Sequence, residues 1–185
     1  MAGVSIVDVG VLVSETQAFI SSAGYTYCNS PKLADSDYTD LSAFEFTRQA
    51  DNSSEIERTF FHFDNAAALS DGDDVILYLA FGCAFADQNY DVAEANCVGR
   101  AVRALLCDPN GQISDPAVGR CKLLSEMHVD PNGFSGGPVF AIVFDGHLTL
   151  KFAGVINRAG GSFVHFIKAP YVRRLLDFAV SSYAI

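Results

Sequence analysis

Basic residues are scarce in this chain. Lys and Arg number 12 against 22 Asp and Glu, which gives a formal net charge of -10. Nucleic-acid backbones are bound by clustered Lys and Arg, so nucleic acid is not an expected partner. Acidity otherwise implies only solubility. Long apolar runs are missing as well, and no stretch is long and apolar enough to span a bilayer, so no membrane partner is expected. The opening "MAGVSIVDVGVLV" has no basic n-region and no cleavage-like site, and does not read as a secretory signal peptide. No two cysteines form a CxxC pair and no histidine stands at zinc-ligand spacing from one. No metal or other cofactor is expected. There is no repeat of fixed period, no low-complexity tract and no long linker.

Cysteines are few and odd in number: Cys28, Cys83, Cys97, Cys107 and Cys121. They read as buried, reduced thiols, which favours a cytoplasmic compartment. An exported protein with one disulfide is the alternative.

What the chain does have is apolar residues. Half of its 185 residues are hydrophobic and Phe is abundant. That is enough for one domain with a sizeable core, or for two small halves sharing an interface. Most segments read as strands. "VSIVDVGVLVS" and "QAFISSAGYTY" flank the polar turn "SET" as a hairpin. "LSAFEFTR" and "RTFFHFD" alternate apolar and polar at period two. "DGDD" is a turn before the buried strand "VILYLAFG". The stretch Val92 to Leu106 fits either a short helix or two strands around Gly99, and the hairpin-rich context favours strands. "DPNGQISDPAVG" is a loop. Asp145-Gly146 marks a hairpin between two apolar runs, and "SFVHFIKA" is a further strand. Near the end, Pro170 opens a helix with Val172, Leu175, Leu176, Ala179 and Val180 at helical spacing.

One loop carries chemistry. In "NGFSGGPVF", Ser135 stands between glycines ahead of an apolar strand. The pattern G-x-S-x-G of an α/β-hydrolase elbow requires a helix directly after the serine. Here Gly-Gly-Pro and a strand follow, and the βαβ alternation is absent. The elbow is therefore excluded.

The stretch instead resembles the G-x-S-G-G-P nucleophile loop of trypsin-like (chymotrypsin-fold) serine proteases, of the bacterial type. The resemblance extends over nearly the whole chain. "GVLVSETQAFISSAG" looks like the strand–turn–strand leading to that family's histidine, "TDLSAFEF" like the strand bearing its aspartate, "KFAGVINRAGG" like the strand beside the substrate, and "APYVRRLLDFAV" like the closing helix. The resemblance implies an all-β fold: two packed six-stranded antiparallel β-barrels with a C-terminal α-helix. The implied single domain has an N-terminal barrel over about 1–75, a C-terminal barrel over about 76–168 and a helix over 169–182.

It also implies site residues. Ser135 takes the nucleophile position and Asp40 the triad acid position. Gly133, with Ser135, would offer backbone N–H groups to an oxyanion, each worth about 2.7–4 kcal/mol. Val129, at the pocket base, with Asp130, Gly154, Val155 and Ile156, would face a substrate. Phe134 stands where digestive enzymes carry an Asp that pairs with a new N-terminus, so activation by cleavage is not implied. With Val129 at the pocket base, small or apolar side chains are the expected preference.

The histidine position breaks the pattern. Serine needs an imidazole to accept its proton and a carboxylate to fix that imidazole. Ser21-Ser22-Ala23 aligns with the family's T-A-A, and the next residue is Gly24 rather than His. His62, His128, His147 and His165 match no family base, and each reads as a surface or satisfied core histidine. A rival alignment takes Asp8 as the acid but leaves the "VLVSETQAFISSAG" match unused. Asp40 as a plain loop acid, and Asn157 and Arg158 as plain loop residues, are the bland alternatives. The expectation is a pseudoprotease with a protein or peptide in its cleft. An active serine endopeptidase whose base is altered or supplied elsewhere, and a non-enzymatic interaction module on the same fold, are the alternatives.

Overall fold

The computed structural model of the chain describes residues 9–12, 19–28, 36–46, 67–91, 97–111 and 113–183. The β-branched and aromatic segments form antiparallel pairs, as period-two patterning dictates. β1 (Gly10–Leu12) pairs with β2 (Phe19–Ser21). β3 (Gly24–Tyr27) pairs with β4 (Ser42–Glu45), and a 3-10 turn, Asp37–Asp40, lies between them. β5 (Val75–Gly82) follows, then a two-stranded sheet of β6 (Gln88–Asp91) and β7 (Cys97–Arg100). β8 (Arg103–Asp108), β9 (Val118–Leu123), β10 (Pro138–Phe144), β11 (Leu148–Gly160) and β12 (Phe163–Lys168) lead into the helix α1 (Ala169–Tyr183).

Six strands close into one antiparallel barrel in the order β10-β11-β12-β9-β8-β5. β10 shows why. Val139, Ala141 and Val143 are almost fully buried, while the alternate Phe140 and Ile142 are half-buried on the outer face. Pro138 opens the strand, a place that tolerates its missing N–H. The Asp145-Gly146 hairpin joins β10 to β11, with Gly146 at φ 72°, a left-handed conformation that glycine adopts at no steric cost.

The barrel interior packs Ala80, Cys107, Cys121, Phe134, Val139, Ala141, Val164 and Phe166. A second cluster joins its outer wall to α1 through Val118, Ile167, Ala169 and Val172, and includes Tyr38 of the 3-10 turn. Tyr38 meets Tyr171 of α1 edge-on at 5.4 Å between ring centroids. The helix therefore bridges the barrel and the N-terminal strands.

The strand reading of the middle segment is met for Cys97–Arg100 and Arg103–Asp108, with the break at Ala101-Val102 rather than at Gly99. On α1, Val172 and Leu175 are buried as the spacing predicts, whereas Val180 is 71% exposed. The helix has left the barrel wall by then. "RTFFHFD", His62 and Asp8 lie outside the described residues. Among the described residues the N-terminal part contributes two two-stranded sheets, and the closed barrel is the C-terminal one.

Cys28, Cys83, Cys107 and Cys121 are free thiols. Cys107 and Cys121 are fully buried inside the barrel. The hydrogen bond with Cys107 and burial push the Cys121 thiol far above its ordinary value, so it stays protonated and inert.

Candidate active site

The loop carrying Ser135 is folded by local hydrogen bonds. The Asp130 carboxylate accepts from the Asn132 backbone N–H at 3.1 Å and from its side-chain amide at 2.9 Å. The Phe134 N–H donates to the Pro131 carbonyl, and the Gly137 N–H to the Phe134 carbonyl, both at 3.0 Å. These two turns reverse the chain on either side of Ser135. Gly133 sits at φ 100°, and a Cβ there would come within 2.6 Å of the Cys83 carbonyl oxygen. Only glycine fits that turn.

Phe134 and Ser135 then point opposite ways. Phe134 is fully buried, with its ring over Gly82 at the end of β5, where a Cβ would come within 2.1 Å of it. Ser135 is exposed. The loop is clamped to β11: the Gly136 N–H donates to the Ile156 carbonyl, and the Ile156 N–H to the Gly137 carbonyl, both at 2.8 Å. The Ser135 hydroxyl donates to the Asn157 carbonyl at 2.7 Å. The backbone N–H groups of Gly133 and Ser135 have no hydrogen-bond partner among the described residues.

The other predicted site residues fall around this loop in different ways. Gly24 is buried at the start of β3, opposite Glu45 of β4, and the neighbouring Ala23 N–H donates to the Glu45 carbonyl at 2.8 Å. Asp40 ends the 3-10 turn, is exposed, and its carboxylate forms no hydrogen bond or ion pair with the described residues. Val129 is half-buried against the barrel core. Asp130 is held by Asn132. Gly154 and Ile156 are buried within the barrel wall, and Val155 packs beside the helix cluster. Of these three, only the half-buried Val155 has a side chain with any outward reach. His128 and His147 are exposed, His165 lies in β12, and none of the three is bonded to the Ser135 hydroxyl.

Asn157 and Arg158 are the residues that sequence reading undervalued. Both belong to β11, at a bulge between Ile156 and Arg158. A bulge re-aims the strand next to it, and here it turns the Asn157 carbonyl to Ser135. Arg158 ion-pairs with Asp37 at 3.0 Å and so ties the Asp40-bearing turn to the strand beside Ser135. The same turn is anchored on its other side by Asp115, which accepts from the Ser36 hydroxyl at 2.8 Å and from the Asp37 N–H at 3.2 Å. Burial acts to raise the Asp115 carboxyl. Hydrogen bonds from the Ala117 N–H, the Ser36 hydroxyl and the Asp37 N–H outweigh it and hold the group below its ordinary value.

Arg158, His165 and Arg120 face one another across β11, β12 and β9. Burial, then Arg158, then Arg120 push the His165 imidazole below its ordinary 6.5, against a smaller opposing pull from Asp37. The unfolded chain then binds this proton more readily than the folded one. Stability is fully present above pH 6.5 and is lost as pH falls through the folded value. Chemical denaturation between about pH 7.5 and about pH 5.5 is expected to show a declining midpoint. His165→Gln is expected to flatten that decline, and an unchanged slope would contradict the assignment.

Chemically, the loop presents an outward serine hydroxyl, two free N–H donors next to it and no imidazole among the described residues. Such an arrangement can hold a carbonyl oxygen but gives the hydroxyl proton no base. Comparison with models of known protein families, with curated proteins and with solved structures finds no match for this chain.

Proposed function

We propose that the chain is a trypsin-like serine-protease homologue that keeps its nucleophile loop and lacks the general base, leaving a catalytically impaired protein whose cleft binds peptide. The observation that carries this reading is the hydrogen bond from the Ser135 hydroxyl to the Asn157 carbonyl. A backbone carbonyl can accept that hydrogen bond but cannot take the proton. Gly24 at the expected base position supports the same reading. In the proposed layout β1 to β4 belong to a second barrel, docked through Asp37 and Tyr38 so that Asp40 lies toward the Ser135 cleft.

One observation favours an active endopeptidase instead. The Gly133 and Ser135 N–H groups are free among the described residues, as an oxyanion site demands. Loss of a triad histidine leaves only the residual rate enhancement of that site and of binding. Incubation with casein and a mixed peptide library is therefore expected to give no cleavage above that of Ser135→Ala. Cleavage abolished by Ser135→Ala would establish the active reading.

A further inference from the structure

A cavity of about 410 Å³ opens at the mouth of the barrel away from Ser135. β5 separates the two places: its first residue, Val75, lines the cavity, and its last, Gly82, lies under Phe134. The volume is that of a small-molecule site. The inner wall is apolar, built from Ala153, Phe166 and the ring of Tyr78, and the two rings lie 5.4 Å apart between centroids.

The polar groups of the wall are unevenly matched. The Tyr78 hydroxyl has no hydrogen-bond partner among the described residues. Burial pushes this phenol up to about 12, so it remains an O–H donor across the physiological range. Lys168, half-buried at the rim, has no carboxylate within ion-pair distance among the described residues. Asp115 acts on Lys168 only through space, and its oxygens are taken by Ser36, Asp37 and Ala117. Arg120 is the second cationic residue of the lining, and its guanidinium lies over the Phe163 ring, 4.1 Å from the centroid, on the side of His165. On the opposite rim Asp73 is already paired, accepting from the Lys151 ammonium at 2.6 Å and from the Ser70 N–H at 2.8 Å. Asp71 stands beside it in an exposed turn. The Tyr78 hydroxyl and the Lys168 ammonium are left over as donors on this wall, and the half-buried Asp73 is occupied. A half-buried wall with spare donors is complementary to an anion.

We propose that this cavity binds a small organic carboxylate, its apolar or aromatic body against Tyr78, Ala153 and Phe166 and its carboxylate between the Tyr78 hydroxyl and the Lys168 ammonium. The site is independent of the Ser135 loop and of its reading as a protease relic.

Benzoate is the probe, with benzyl alcohol as its uncharged counterpart. Titration followed by two-dimensional NMR of the labelled chain is expected to shift the amide signals of β12 and β5 with saturation in the millimolar range or below. Benzyl alcohol is expected to produce no saturable shift. Lys168→Met is expected to weaken benzoate binding about tenfold or more, and Tyr78→Phe by about two- to tenfold. Lys168→Arg, which keeps the charge, is expected to retain most of the affinity. Circular dichroism of each variant confirms folding, and Tyr78→Phe serves if Lys168→Met does not fold. The proposal is overturned if benzoate causes no saturable shift, if benzyl alcohol binds equally well, or if folded variants bind benzoate like the parent chain.

Discussion

Gly24→His is expected to raise the rate at which a fluorophosphonate labels Ser135 by about 10²–10⁴-fold, the usual contribution of a positioned general base. The serine is already outward-facing, and its hydroxyl proton rests on the Asn157 carbonyl. An imidazole within reach would take that proton in place of a group that cannot. Position 24 begins β3 and lies on the buried side of the strand, with Ser22, while Ala23 and Tyr25 face outward. Its register partner is Glu45, at the end of β4 away from Asp40, so the experiment tests directly whether this position is the place of the base. Labelling is read by mass spectrometry of the Ser135 peptide, with Ser135→Ala in the same background as the blank. A folded Gly24→His protein with no gain would show that position 24 is not the place of the base.

Phe134→Ala is expected to cost about 3–5 kcal/mol, the range for removing a fully buried aromatic ring. Phe134 is fully buried and belongs to the core of the closed barrel, packed with Ala80, Val139 and Ile156. Gly82 leaves the space that the ring fills, so neighbouring side chains cannot collapse into the void without moving the backbone of β5. The same ring fixes the turn that sends Ser135 outward. The loss is read from the urea midpoint at constant slope. A loss below about 1 kcal/mol, typical of surface sites, would mean that Phe134 does not anchor the loop.

Much of this fold was legible in the sequence where local signals suffice. The apolar run Val75–Gly82 between turns is β5 over its whole length. Asp145-Gly146 makes its hairpin because glycine takes the left-handed φ. Pro170 and the 3.6-residue spacing place α1, although spacing alone misplaced Val180, since the point where a helix leaves its support depends on tertiary packing. The break between β7 and β8 was misplaced for a related reason. Gly99 is the weaker strand former, yet pairing with Asn89 keeps it inside β7.

The site was half legible. Glycine at 133 follows from the motif, whereas the burial of Phe134 is a tertiary feature that the motif does not signal. The Asn157 carbonyl was invisible, because a backbone acceptor has no residue-type signature and the bulge that aims it breaks no periodicity pattern. The Arg158–Asp37 pair was invisible too, being a contact between distant segments whose charges read as ordinary surface residues.

The central claim is that Ser135 sits in a built loop without an activating base. Its most direct test is the rate of reaction of the unaltered protein with a fluorophosphonate at neutral pH, followed by intact-mass spectrometry against Ser135→Ala. The account predicts no adduct beyond that of the alanine variant on a timescale that labels trypsin completely. Rapid, stoichiometric labelling at Ser135 would contradict it.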